Sequence, residues 1–551
     1  MNKKVCSFPI LFALLALLIG TCAVVFPASA QAAPTSTGSI TVSGTVASSY
    51  DAYQIFSANV VDGDSDAKTF TDLVWASDAV RDAALPVLHS AGMPNSQTTA
   101  QKAAEWLNTD SHLTGALSAQ LARSLQSSGA VSVALNAGTA AKLPSGYWLI
   151  VADDDAIAQG EVGTAPIMAL VGGGAVTVKP KAATPKVSKH VLEDSTAAWQ
   201  KAADATVADD LYWRLSATVP AGLTAYDTYA VRFVDTMGAG LDPSKVAASM
   251  RVYVAAGADG GFDAVSADKD GRVGTEPAKG WTDITAQCAT KIAADGTFTV
   301  RTGDLIAALG GADAFTAGAR VVAVYNAPLN SACNHGIAKG NPNEAYLCYP
   351  RSPFADQSGD AGFTRTPSDD ACAYTWDLAL TKRSSDGDKP LAGAVLSIAD
   401  DRGRTLAADG TWDAEGKATV TTGEDGRVTV SGVDSGKLEV RELKAPKGYT
   451  AFEGTRSVTV KAEGLDVDQV AAAKPKLTIT AESPLRADSA DGSTGSLEAS
   501  LINTPANVSP RGFMPSTGDM AMFAAAAVAV AGAALIVVAL LVKRGGGSHK
   551  K

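Results

Sequence analysis

Few residues in this chain are placed for chemistry on an external substrate. The five histidines, at positions 89, 112, 190, 335 and 549, include no two at metal-ligand spacing. Asp62-Gly63-Asp64-Ser65-Asp66 and Asp268-Lys269-Asp270-Gly271 offer carboxylates that could attract calcium, but neither has the complete twelve-residue loop pattern, and solvated turns account for both. No Ser, His and Asp grouping stands out, and no nucleotide loop occurs. The expectation is therefore no metal and no cofactor. Cysteine says more. Cys6 and Cys22 fall in a segment that reads as removed on export, which leaves Cys288, Cys333, Cys348 and Cys372. An even number in an exported protein favours disulfides, and four cysteines allow three pairings. The expected pairs are Cys348 with Cys372, bracing a loop-rich junction, and by exclusion Cys288 with Cys333.

Export is read from the chain's first residues. Lys3 and Lys4 precede an apolar run from Ile10 to Val25, and Ala28-Ser29-Ala30 then supplies an A-x-A cleavage pattern, so residues 1–30 read as a signal peptide. A second apolar block, Met520 to Val542, carries no charge and is long enough to cross a bilayer as a helix. Lys543, Arg544, Lys550 and Lys551 follow it, an excess of positive charge that keeps this tail inside. The formal net charge of -11 argues against a nucleic-acid partner, because phosphate binding needs clustered positive charge.

Between the two ends the patterning divides into three parts. From residue 31 to 180, strand-like Ser39-Ile40-Thr41-Val42-Ser43 is followed by Leu113, Leu117, Leu121 and Leu125 at helical spacing, then by strand-like Gly146 to Val151 and Ala165 to Val171. This reads as an α+β domain, closed by the Pro- and Lys-rich linker Lys179 to Lys186. Residues 185–349 show short alternating runs, Leu211 to Val219, Tyr229 to Asp235 and Ala319 to Tyr325, separated by turn residues, which predict a β-sandwich. Residues 350–375 are rich in Pro, Ser, Asp and Gly and read as a junction loop. A second sandwich is predicted over 376–507, where Glu424-Asp425-Gly426 is a turn feeding the strand Arg427 to Val430. The fold class expected is mainly β, with tandem immunoglobulin-like sandwiches behind an α+β domain and a C-terminal transmembrane helix.

Met514-Pro515-Ser516-Thr517-Gly518 stands just before the apolar block. Pentapeptide, apolar helix and basic tail in that order, over residues 508–551, resemble the cell-wall sorting signal of Gram-positive surface proteins, usually written LPxTG. Met514 replaces the usual Leu with an unbranched apolar side chain of similar volume. The resemblance implies that a sortase cysteine attacks the Thr517 carbonyl and releases the chain from Gly518 onward.

Leu380-Thr381-Lys382, Pro390-Leu391-Ala392-Gly393-Ala394, Glu442-Leu443-Lys444-Ala445-Pro446-Lys447-Gly448-Tyr449 and Ile502-Asn503-Thr504-Pro505 resemble the collagen-adhesin B-type repeat of Gram-positive pilins and adhesins. In that family a first-strand lysine and a last-strand asparagine condense into an amide beside a buried acid. Burial disfavours both charged forms, so a neutral amine can attack a carboxamide polarised by a protonated acid. Adjacent strands hold the pair at reacting distance. The resemblance implies Lys382 as amine, Asn503 as acceptor and Glu442 as acid.

Pro185-Lys186-Val187-Ser188-Lys189-His190-Val191, Tyr226-Asp227-Thr228-Tyr229, Phe233-Val234-Asp235-Thr236 and Gly340-Asn341-Pro342-Asn343-Glu344-Ala345-Tyr346-Leu347 resemble the fimbrial isopeptide-formation domain of backbone pilins. This implies Lys189, Asp235 and Asn343, with Asp227 and Asn341 as alternatives. Leu347-Cys348-Tyr349-Pro350 departs from the family's commoner Tyr-Ser-Asn strand end and leaves the register open. Val176-Thr177-Val178-Lys179-Pro180-Lys181 resembles the pilin motif, whose core is V-Y-P-K, and makes Lys181 the amine that would attack the Thr517 acyl-enzyme of another subunit, Lys179 being second choice. Together the resemblances imply the backbone subunit of a covalent pilus on a Gram-positive cell wall. Its expected partners are pilin-specific and housekeeping sortases, further pilin subunits, peptidoglycan and a host or bacterial surface receptor. The competing reading is a wall-anchored adhesin or accessory pilin that does not polymerise.

Overall fold

The computed structural model describes residues 36–506 apart from 63–67, 110–111, 181–182, 222 and 316. The signal segment, Lys181, Thr517, Gly518 and the apolar block from Met520 to Val542 lie outside the described residues. Among the described residues no helix is long and apolar enough to cross a membrane. The chain is mainly β and divides into two compact units, one running to Thr375 and including Ala462–Lys476, the other formed by Trp376–Lys461 and the chain from Leu477.

In the first unit, Thr37–Val42 pairs antiparallel with Ala141–Pro144 and parallel with Ala175–Val178. A five-stranded sheet runs Lys68–Trp75, Ser49–Asp62, Gly146–Ala152, Ile167–Val171, with Val133–Asn136 beside Ser49–Asp62. Helices Asp78–Ser90, Ala100–Leu107 and Gly115–Ser128 bury their apolar faces against this sheet. Leu117, Leu121 and Leu125 share the buried face as their spacing predicts, but Leu113 is 38% exposed. The reason is the cap: Thr114 accepts the Leu117 amide proton through its side chain, so the helix starts at Gly115, two residues after Leu113.

The same unit contains a two-layer sandwich. One sheet has the order Ala198–Gln200, Lys186–Glu193, Tyr212–Val219, Ala319–Asn326, Arg251–Ala256, Thr282–Asp283. The other runs Ala202–Asp204, Asp369–Tyr374, Asn341–Pro350, Arg232–Met237, Thr297–Arg301, Ala289–Ile292. The expected junction loop is thus partly strand: Asp369–Tyr374 pairs antiparallel with Asn341–Ala345 and parallel with Ala202–Asp204, burying Ala371, Cys372 and Ala373. Its short alanine-rich run carries little strand propensity, and sheet pairing on both sides overrides that. The linker after Val178 does not isolate the first domain either. Arg123 on helix Gly115–Ser128 donates to Asp227 (3.1 Å) and to the Ala225 and Pro353 carbonyls, and the Tyr349 hydroxyl donates to the Gly160 carbonyl at 2.7 Å.

The second unit is another two-sheet sandwich. Arg427–Val433, Trp376–Ser384, Ser496–Pro505 and Tyr449–Thr450 form one sheet with Leu485–Asp491. Val395–Ala399, Gly436–Lys444, Thr455–Glu463 and Lys476–Ala481 dominate the other. Its first and last strands pair in parallel, Lys382 opposite Leu501 and Ser384 opposite Asn503.

Strand register overturns the expected disulfides. Cys372 stands opposite Pro342, six residues along the strand from Cys348. At the rise of a β-strand that is about 20 Å, beyond any disulfide. Cys288 is not bridged to Cys333: its thiol donates to the Ile284 carbonyl at 3.3 Å, whereas Cys333 Sγ lies 3.6 Å from His335 Nε2.

Candidate functional site

Alternation along the strands turns both predicted lysines into the cores. In Trp376–Ser384 the buried positions include Trp376, Leu378, Leu380 and then Lys382 on one face, and in Ser496–Pro505 they include Leu497, Ala499, Leu501 and then Asn503. Period-two geometry therefore puts an amine and a carboxamide where two more aliphatic side chains would fit. Glu442 reaches them from Gly436–Lys444 in the facing sheet. Lys382 Nζ donates to Asn503 Oδ1 and lies 3.0 Å from Glu442 Oε1. Asn503 Nδ2 donates to the same Glu442 Oε1 at 2.9 Å, while Glu442 Oε2 accepts the Phe452 amide at 3.0 Å. The Phe452 ring covers the amine, its centroid 5.8 Å from Nζ. Burial pulls the Lys382 pKa down to about 8, against the opposing pull of Glu442.

The first unit contains a second such cluster, assembled differently. Lys189 and Tyr325 come from one sheet, Asp235 and Asn343 from the other, and all four are fully buried. Asp235 faces Ala345 and Asn343 faces Met237 on neighbouring antiparallel strands, so the two inward side chains stand two positions apart. Lys189 Nζ donates to Asp235 Oδ2 and to the Tyr325 hydroxyl at 2.8 Å. Tyr325 in turn donates to Asp235 Oδ2 (2.9 Å) and accepts from Asn343 Nδ2 (2.9 Å). Burial lowers the Lys189 pKa to about 8 and raises that of Asp235, which Lys189 pulls the other way. Among the described residues Asp235 Oδ1 and Asn343 Oδ1 are buried without a hydrogen-bond partner, two acceptors that one carboxyl proton could serve.

The structure separates the sequence alternatives. Asn341 is also buried, but its Oδ1 accepts the Asn334 amide (2.8 Å) and its Nδ2 donates to the Asn334 and Ala373 carbonyls (2.9 and 3.2 Å), which staples a loop. Asp227 is exposed and paired with Arg123. Among the described residues no hydrogen bond or ion pair joins either to Lys189. Asp268 Oδ1 accepts the Asp270 and Arg272 amides, both at 3.0 Å, so that acidic stretch is a capped turn.

Sequence reasoning missed Tyr325, Lys201 and Asp369. The Lys189 amide donates to Asp369 Oδ2 at 2.7 Å, and Lys201 Nζ donates to the Lys189 carbonyl at 2.9 Å while pairing with Asp369. These contacts fix the backbone that carries the amine. The available signal for Tyr325 was its place on the buried face of Ala319–Asn326, a position that ordinarily means core packing.

Residues 377–474 match the family model described as SpaA, prealbumin-like fold domain. A curated relative, the trypsin-resistant surface T6 protein of Streptococcus pyogenes serotype M6, is 31% identical over 143 residues, 24% of this chain and 24% of the relative. The match spans about a quarter of that relative's length. Among solved structures, the T6 backbone pilin of serotype M6 Streptococcus pyogenes is 17% identical, covering 87% of this chain and 100% of that one with a TM-score of 0.44. The full-length major pilin SpaD from Corynebacterium diphtheriae is 15% identical, covering 85% and 97% with a TM-score of 0.39.

Proposed function

We propose that this chain is the structural backbone subunit of a sortase-polymerised, wall-anchored pilus, hardened by two amide bonds that it makes within itself. The observation that carries this reading is the burial of two lysines, each held against a carboxyl, with Lys382 on the Asn503 carboxamide and Lys189 sharing the Tyr325 hydroxyl with that of Asn343. Buried ionised amines are costly, and condensation removes the charge permanently.

Each step follows from atoms already in contact or close by. The neutral lysine Nζ attacks the asparagine Cγ, the Nζ–Cγ bond forms, the Cγ–Nδ2 bond breaks, and ammonia leaves with the proton that Nζ sheds. In the third domain Glu442 Oε1 touches both nitrogens, so one oxygen can take the proton from the first and deliver it to the second. Holding the partners within hydrogen-bond reach replaces much of the entropic barrier. The chemistry is single-turnover and self-directed.

The bonds sit where tension would act. Lys382 and Asn503 lie on the first and last strands of their sandwich, and the bond from Lys189 to Asn343 would cross from one sheet to the other. By the disulfide analogy, closing so long a loop contributes roughly 4 to 5 kcal/mol in the entropic model. Outside the described residues, Thr517 supplies the acyl group to a sortase, Gly518 leaves, and Lys181 of another subunit is the acceptor, which makes sortases, further subunits and peptidoglycan the partners.

Intact mass of the folded ectodomain tests the first part: two ammonia equivalents should be missing, and none missing would end the reading. Blots of wall extracts test the second, where a high-mass ladder means backbone and a single band means an adhesin.

A further inference from the structure

We propose that Tyr325 is a catalytic residue of the bond-forming site in the second domain, relaying the proton between Lys189 and the leaving nitrogen of Asn343. The inference rests on the reading that these two residues condense.

The two clusters solve one geometric problem with different atoms. In the third domain a single carboxyl oxygen, Glu442 Oε1, lies 3.0 Å from the attacking nitrogen and 2.9 Å from the leaving nitrogen. The second domain has an aspartate, one methylene shorter, and its Oδ2 has contacts with Lys189 and Tyr325 but none with Asn343 Nδ2. Among the described residues Asn343 Nδ2 donates to one acceptor, the Tyr325 hydroxyl at 2.9 Å. That hydroxyl also accepts from Lys189 Nζ at 2.8 Å. Tyr325 oxygen therefore occupies the bridging place that Glu442 Oε1 fills in the other domain.

Its remaining valence is used as a relay requires. A phenol has one proton to donate, and Tyr325 directs it to Asp235 Oδ2 at 2.9 Å. When Nζ bonds to Cγ, the proton it sheds passes to the Tyr325 oxygen as the phenolic proton moves to Asp235. Return along the same path protonates Nδ2, the Cγ–Nδ2 bond breaks, and ammonia departs with Tyr325 and Asp235 restored. Packing keeps the phenol in this position, because the Phe298 ring meets it edge-on at 4.8 Å and the residue is fully buried.

The test follows intact mass with time after purification of the full ectodomain. Wild type first establishes that the second-domain bond forms, with Asn343→Ala as the bond-free reference; failure at this stage sinks the functional reading and not the role of Tyr325. Tyr325→Phe keeps the ring and should slow loss of the second ammonia about 100-fold or more, the usual reach of general acid–base catalysis. Protease resistance equal to that of Asn343→Ala shows that the variant is folded. Adding Asp235→Glu to Tyr325→Phe restores an oxygen at the bridging position and should recover much of the rate, which a packing role would not predict. A folded Tyr325→Phe protein that bonds as fast as wild type overturns the proposal, and so does a folded double variant that stays unbonded.

Discussion

Asn503 sits opposite Ser384, two positions beyond Lys382 on the neighbouring parallel strand, so its carboxamide and the Lys382 amine project from the same buried face and meet. Register alone brings them together, and Glu442 is the one member of the trio contributed by the facing sheet.

Removing that acid should be visible by mass. Glu442→Ala leaves the amine and carboxamide in place but takes away the carboxyl oxygen that touches both nitrogens. Bond formation in the third domain should fall by about 10²–10⁴-fold, so the fresh ectodomain lacks one ammonia equivalent instead of two. The stranded Phe452 amide should cost a further 1 to 3 kcal/mol or so in denaturant unfolding. A Glu442→Ala protein that still lacks both equivalents would show that this carboxyl is not the acid.

Asn343 and Asn341 should behave oppositely. Asn343→Ala removes the acceptor and restores one ammonia to the mass. Asn341→Ala keeps the bond but forfeits hydrogen bonds to Asn334 and Ala373, with an expected loss of about 1–3 kcal/mol in unfolding experiments. Exchange of these two phenotypes would move the bond to Asn341.

The depressed pKa of Lys382 makes a signed prediction for a chain that cannot form the bond. In Asn503→Ala the amine remains, with a folded pKa of about 8 against 10.5 in the open chain. Between those values the unfolded chain binds more protons, so stability rises with pH through that window, by up to about 3 kcal/mol, and is unchanged by this group below it. Denaturant midpoints measured from about pH 7 to about pH 10.5, compared with Lys382→Met in the same background, check the slope. A flat difference between the two proteins would contradict a buried, depressed amine.

Polymerisation should depend on Lys181. Lys181→Ala is expected to abolish the high-mass ladder and leave a wall-linked monomer, and Lys181→Arg should fail too, because a guanidinium stays protonated. Lys179→Ala should leave the ladder intact. Ladders from both single variants and the double variant would place the acceptor elsewhere.

What the amino-acid sequence determined by itself was local. Alternating burial along Trp376 to Lys382 and Leu497 to Asn503 needs only the period of a strand, whereas it was the resemblance to a collagen-adhesin B-type repeat that singled out Lys382, Asn503 and Glu442. The leucine spacing at 117, 121 and 125 marked a helix for the same reason, whereas Leu113 failed because a single cap at Thr114 sets where that helix begins. Tertiary structure decided whatever depends on pairing between distant segments. Asn341 and Asn343 share one face of one strand, and only packing against the opposite sheet gives Asn343 the Tyr325 hydroxyl as partner while Asn341 bonds to Asn334 and Ala373. Cys348 and Cys372 are near in sequence yet six positions apart in register, and Asp369–Tyr374 becomes a strand because edges on both sides accept it. Hydrogen bonds across a sandwich leave no periodic trace in the chain, which is why Tyr325 was invisible until the sheets were packed.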